Sequence, residues 1–161
     1  MKKLKIYFAA PLFKQSERIW NRMLKKEIEK RAKIYNLKIK ILFPQDIAEK
    51  ILSNKTYSEK QKLMHLYKAL RDYLVISDIV ISILDGADVE SGTSAETFGG
   101  RIMNKKIIGV RTDFRNSGEE KGLNLMLSKA LDKFIYFPAF NENYKELAEK
   151  IVKAIKDFQK D

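Results

Sequence analysis

Four carboxylates crowd into one short segment of the chain, LDGADVESGTSAETFGG over 84–100: Asp85, Asp88, Glu90 and Glu96. Gly86 and Gly92 fall among them and let the backbone turn tightly there. Like charges held close push their protonation equilibria apart, which is the arrangement that acid–base and nucleophilic carboxylate chemistry needs. In a chain with 32 Lys+Arg against 21 Asp+Glu, such a cluster stands out from its background. The same residues also admit a structural reading. Thr93-Ser94-Ala95-Glu96 has the spacing of a capping box, in which Thr93 caps a helix and Glu96 reaches back to the cap's own amide. Asp85 and Asp88 can likewise be ordinary turn residues. Residue types alone leave both readings open.

Other chemistries are harder to build from this composition. Without cysteine there is no disulfide, thiolate nucleophile, iron–sulfur site or zinc–thiolate site. With one histidine, His65, neither a His-rich metal site nor a conventional triad has its parts, so no metal or cofactor is expected. Neither G-x-x-x-x-G-K-[ST] nor G-x-G-x-x-G occurs, so the nucleotide-triphosphate and dinucleotide fingerprints are missing. The formal net charge of +11 would attract phosphates, nucleic acid or anionic lipid within a Debye length. Its lysines and arginines are spread along the chain, as on Lys25, Lys26, Lys30, Arg31 and Lys33, so a solvated face accounts for them without a specific nucleic-acid partner. The apolar run at the N-terminus is short, holds Pro11 and lacks a cleavage site, which does not suit a signal peptide. The longest apolar stretch, 73–84, is broken by Ser77, Asp78 and Ser82 and is too short for a bilayer. A soluble, cytoplasmic protein with one domain over 1–161 is the expectation.

The elements that must position the carboxylates follow from periodicity. Short apolar runs at 4–9 and 38–43, each closed by a proline, read as strands, with a helix at 15–35 through Ile19, Met23, Leu24 and Ile28. A second long helix spans 58–75 through Leu63, Leu66, Tyr67, Leu70 and Leu74, and DIVISIL at 78–84 reads as a strand buried on both faces. A helix at about 93–103, a strand at 106–111, a polar loop, a helix at 123–131, a strand at 134–137 and an amphipathic helix at 144–158 complete the chain. Strands alternating with helices require right-handed crossovers, hence an α/β, doubly wound, five-stranded parallel sheet with helices on both faces and the flavodoxin-like order 2-1-3-4-5. Ligands in such sheets bind beyond the carboxyl ends of the strands where the order reverses. The loops at 9–13 and 85–96 must meet there.

Ile6-Tyr7-Phe8-Ala9-Ala10-Pro11-Leu12-Phe13, Phe43-Pro44-Gln45-Asp46, the run from Ser77 through Asp85-Gly86 to Ser91-Gly92-Thr93-Ser94-Ala95-Glu96, and Leu123-Asn124-Leu125-Met126 together resemble the nucleoside 2-deoxyribosyltransferase family. The resemblance spans nearly the whole chain in order, and S-G-T-x-x-E after a D-G loop with N-L-M downstream is fairly specific. It implies the doubly wound fold, and it implies that Glu96 is a nucleophile toward C1′ of a 2′-deoxynucleoside. The base would leave a deoxyribosyl ester on Glu96 that a second free nucleobase intercepts. It further implies that Tyr7 orients the nucleophile, that Phe13 lines the base pocket, and that Gln45 or Asp46 meets the base edge. Asp85, Asp88, Glu90 and Gly92 would face the substrate. Asn124, with Met126 beside it, would reach the sugar 5′-hydroxyl from a neighbouring subunit of a homo-oligomer.

Three positions depart from the family pattern. Glu90 stands where an aspartate commonly holds the sugar, and Ala10 replaces a common glycine. Leu70 occupies the register of the aspartate that serves the departing base as proton donor. The nearest carboxylate, Asp72, is the substitute acid, although an undistorted helix turns it about 200° away. Three functions follow: deoxyribosyl transfer between bases, N-hydrolysis of 2′-deoxynucleoside 5′-monophosphates, or nucleotide binding with the chemistry weakened.

Overall fold

Strand β3 (Ile79–Ile83) is buried at every residue, as a central parallel strand must be. It lies between β1 (Leu4–Ala9) and β4 (Lys106–Arg111), with β2 (Ile39–Leu42) and β5 (Lys133–Tyr136) at the edges, giving the order β2-β1-β3-β4-β5. All four pairings are parallel, with Tyr7 opposite Val80 and Ser82 opposite Gly109. The computed structural model describes residues 3–115, 120 and 122–159. Residues 116–119 and 121 of the expected polar loop lie outside them.

One face of the sheet presents Ile6, Phe8, Ile81, Ile83, Ile108 and Val110 to α1 (Gln15–Ile34) and α6 (Tyr144–Asp157). In α1 the buried row is Asn21, Leu24, Ile28 and Ala32, while Ile19 and Met23, expected on the apolar stripe, are about half exposed. The 3.6-residue period was right, but the stripe is narrower than the apolar residues suggested. Tyr7, Ala9, Val80 and Ile107 face the other way, toward Leu74 of α3 (Glu59–Ile76) and toward α4 (Ser91–Ile102). Leu74 is the only buried residue of α3, and Leu63 and Tyr67 are exposed. The helix at 44–52, α2 (Pro44–Leu52), was not anticipated; α5 (Leu125–Ala130) is the trimmed form of the helix expected at 123–131.

His65 stacks on Tyr57 at 4.6 Å on the exposed side of α3, away from any carboxylate cluster. Among the described residues no helix is long and apolar enough to cross a membrane.

Candidate active site

The order reverses between β1 and β3: the helix following β1 covers one face of the sheet, and the helix following β3 covers the other. Tyr7 lies on β1 on the α4 side and has no solvent exposure. Its hydroxyl donates to Oε1 of Glu96, 2.6 Å away in the second turn of α4. Burial pushes the Glu96 carboxyl up to about 7, the nearby charge of Glu90 adds to this, and the Tyr7 hydrogen bond opposes it. Burial, then the charge and hydrogen bond of Glu96, push the Tyr7 hydroxyl far above its ordinary value. Tyr7 is therefore a fixed donor at any working pH, and Glu96 is a carboxylate held near the midpoint of its titration.

The expected capping box does not form. Helix α4 starts at Ser91, so Thr93 is inside it and cannot cap it. Glu90 is the N-cap, accepting from Gly92 N and Thr93 N at 2.7 Å each and from Thr93 Oγ1 at 3.0 Å. Burial raises the Glu90 pKa, but the two amides and the Thr93 and Ser91 hydroxyls outweigh it and hold the carboxyl below its usual range. Gly92 makes this possible, since a Cβ there would stand 3.1 Å from the Glu90 carboxylate. With the helix start supplied by Glu90, Glu96 is left unused by the backbone.

Two hydroxyls singled out by nothing in the sequence fix the depth of Glu96. Thr97 Oγ1 and Ser82 Oγ, both buried, lie 2.8 Å apart, and Thr97 also donates to Thr93 O at 2.6 Å, which pins α4 to β3. The loop between β3 and α4 is stapled in turn. Asp85 accepts from Thr112 Oγ1 at 2.6 Å and from Asp113 N at 2.9 Å, as well as from Thr112 N. Arg111, wholly buried, donates to Leu84 O, Gly86 O and Arg115 O. Gly86 turns the loop at φ +111°, where a Cβ would also meet Asp88 O at 2.7 Å. The strand carries a cation at each end, Lys106 exposed and Arg111 buried, and nothing in the sequence tells the two apart.

The remaining expected residues divide. Asp85 is committed to Thr112 and Asp113 of the next loop, a long-range tie that neither its turn-residue nor its substrate reading anticipates, and Asp88 is exposed. Gln45 is buried, its Nε2 donating to Arg18 O at 3.1 Å while its Oε1 has no partner among the described residues. Asp46 points outward into an ion pair with Arg22. Asp72 is exposed and paired with Arg71 at 2.8 Å, turned away from the sheet as its helical register dictates, and it is not brought to Glu96. Leu70 takes the half-buried position instead. Phe13 is 77% exposed on the loop after β1. Asn124 caps α5 by accepting from Met126 N at 2.9 Å, and both residues are open to solvent. The structure thus joins Tyr7, Glu96, Glu90 and Gly92, and holds Asp46 and Asp72 in ion pairs with Arg22 and Arg71.

A half-buried carboxylate, oriented by one phenol and poised between its two protonation states, can attack a carbon that carries a departing base. The sequence of the nucleoside 2-deoxyribosyltransferase family matches this one over residues 6–127, a span that contains the whole Tyr7–Glu96 site. The chain belongs to that family. The family is enzymatic and binds nucleosides and nucleobases. No curated protein matches the chain. Among solved structures, a conserved protein from Enterococcus faecalis is similar at 22% identity and a TM-score of 0.72, covering 95% of this chain and 99% of that one. A 2-deoxyribosyltransferase from Bacillus psychrosaccharolyticus is similar at 19% identity and 0.63, covering 89% and 90%. The CMP N-glycosidase BcmB of Clostridium botulinum is similar at 18% and 0.55, covering 91% and 96%. These likenesses place the chain in the deoxyribosyltransferase fold.

Proposed function

We propose that this protein transfers 2-deoxyribose between nucleobases through a covalent ester on Glu96. The observation that carries the reading is the partly buried 2.6 Å hydrogen bond from Tyr7 to Glu96 at the point where the strand order reverses. The ionised Glu96 attacks C1′ of a 2′-deoxynucleoside, the C1′–N bond breaks, and the base departs with the bonding pair and takes up a proton. Tyr7 holds the attacking carboxylate by one oxygen, leaving the other for the sugar carbon. A ring nitrogen of a second base then attacks C1′ and loses its proton, and the ester C–O bond breaks to restore the Glu96 carboxylate. The step parallels a retaining glycosidase, where one hard displacement is divided into two easier ones. Phe13 supplies a ring to the base, and the unpartnered Oε1 of Gln45 supports its assignment to the base edge.

Glu90 favours a nucleoside over a nucleotide. The first amides of a helix are a ready-made anion site, and here the Glu90 carboxylate already occupies those of Gly92 and Thr93. A 5′-phosphate would have to displace a carboxylate or sit beside it.

Incubation with deoxyinosine and free adenine tests the reading, with deoxyguanosine monophosphate run separately and products followed by chromatography. New deoxyadenosine from wild type and none from Glu96→Ala is the expected result. Base release from the monophosphate alone would replace transfer by hydrolysis, and absence of product from any deoxy substrate would leave a binding protein.

A further inference from the structure

A cleft of about 710 Å³ opens beyond the carboxyl ends of β3, β4 and β5 on the face covered by α1 and α6. The sheet separates it from Tyr7 and Glu96, which lie on the α4 side. Its volume is that of a small-molecule site. Aromatic rings form much of its wall: Trp20 of α1, Tyr144 of α6, Phe137 after β5, and Phe114 beyond β4. Trp20 and Tyr144 lie with centroids 6.2 Å apart at 52°, and Phe114 remains 59% exposed with Phe140 6.1 Å away. Rings so arranged keep faces free for a planar guest. Asn21, 2% exposed, also lines the cleft; its Nδ2 donates to Pro11 O, and among the described residues nothing donates to its Oδ1.

The charge of the cleft runs against that of the molecule. Glu17, Asp85, Asp113 and Glu142 line it against Lys14 and Arg115, and both cations are held by carboxylates, Lys14 by Glu17 and Arg115 by Asp113. A surface with +11 formal charge would otherwise draw anions everywhere. Here a phosphate meets an acidic wall, whereas an uncharged ring does not.

We propose that this cleft is a second ligand site, which takes an uncharged planar heteroaromatic of nucleobase size on the rings of Trp20, Tyr144 and Phe114, with the Asn21 carbonyl receiving a donor on its edge. The choice of a nucleobase among such molecules rests on the transfer reading; the stacking walls and the charge selection do not. The two sites share the loop at Asp85–Gly86, which lines the cleft on one side and leads to the Glu90 cap of α4 on the other.

Trp20 is the sole tryptophan and so reports on the cleft directly. Adenine titrated into the full chain should change Trp20 fluorescence saturably, equally in wild type and in Glu96→Ala. Phe114→Ala, at an exposed position, should weaken that response about tenfold, the scale of one lost base-stacking contact, without changing the transfer rate. Adenosine 5′-monophosphate should bind at least tenfold more weakly than adenine. An absent response, a response lost in Glu96→Ala, an unaltered affinity in folded Phe114→Ala, or equal affinity for the monophosphate would each overturn the second site. Transfer without a Trp20 response defeats the cleft alone, and a Trp20 response without transfer defeats the transfer reading alone.

Discussion

At the scale of the residue, the proposed transfer turns on the protonation of Glu96. Attack needs the carboxylate, and its pKa is about 7, so the transfer rate should rise about tenfold per pH unit below that value and level off above it. Tyr7→Phe removes the one contact that lowers this pKa and leaves burial and Glu90 unopposed. The acid limb should then move up by about one to two units, the equivalent of a hydrogen bond to a charged group. An unmoved limb would show that Tyr7 does not orient the ionised form. The same shift predicts a stability effect of definite sign. A carboxyl whose folded pKa lies above its ordinary 4.5 leaves the fold unpenalised below about pH 4.5, and the fold loses stability as the pH rises through 7. Glu96→Gln should therefore match wild type near pH 4 and exceed it by on the order of 3 kcal/mol at pH 8, read from denaturant unfolding at the two pH values. This pair was legible only in part. T-x-x-E fits a capping box and a nucleophile equally, and nothing local reveals that Glu90, three positions before Thr93, reaches the first amides of the helix. The outward placement of Asp72 followed from register alone, because helical geometry holds regardless of tertiary context.

At the scale of the element, β1 and β4 match their expected bounds residue for residue, and β3 differs only by losing a residue at each end. Short, mostly apolar runs closed by prolines or turns leave few alternatives. Helix α2 escaped notice because Phe43 offers no side-chain cap, and Pro44 at its first position reads from sequence as the close of a strand. Helix α4 depends on Glu90 in two ways that experiment can separate. Glu90→Ala should cost about 1 kcal/mol through the lost N-cap. It should also lower the Glu96 pKa, since a neighbouring like charge is gone. Glu90→Gln keeps a side-chain acceptor for the amides but removes the charge, so its acid limb should fall while its melting temperature drops less than that of Glu90→Ala. Equal stability of the two variants would mean that the cap contributes through charge alone.

At the scale of the whole molecule, the side of the sheet that carries Glu96 is poorly covered. Leu63, Met64 and Tyr67 of α3, Ile102 of α4, and Leu125 and Met126 of α5 are each 45% exposed or more. The opposite side is covered by α1 and α6, whose inward rows are buried. Helical spacing correctly marks α3 as a helix, but a single chain holds no record of what its exposed apolar residues meet. Exposed apolar side chains on three helices suit an interaction face, and Asn124 and Met126 are open to solvent at the start of α5, where the resemblance assigns Asn124 to a neighbour's substrate. The expected active form is therefore a homo-oligomer joined through α3, α4 and α5, with Asn124 completing the partner's pocket. Asn124→Ala should reduce transfer roughly 100-fold, since a misplacement of about 1 Å in the reacting sugar has that effect, while losing only the cap of a six-residue helix in stability. Glu96→Ala protein, inactive alone, and Asn124→Ala protein, weakened roughly 100-fold alone, should together exceed the activity of either when their subunits exchange, because one pocket in a mixed dimer then holds both intact side chains. A monomer by size-exclusion at assay concentration, or verified mixed oligomers that stay inactive, would confine the site to one chain and return Asn124 to its role as the cap of α5.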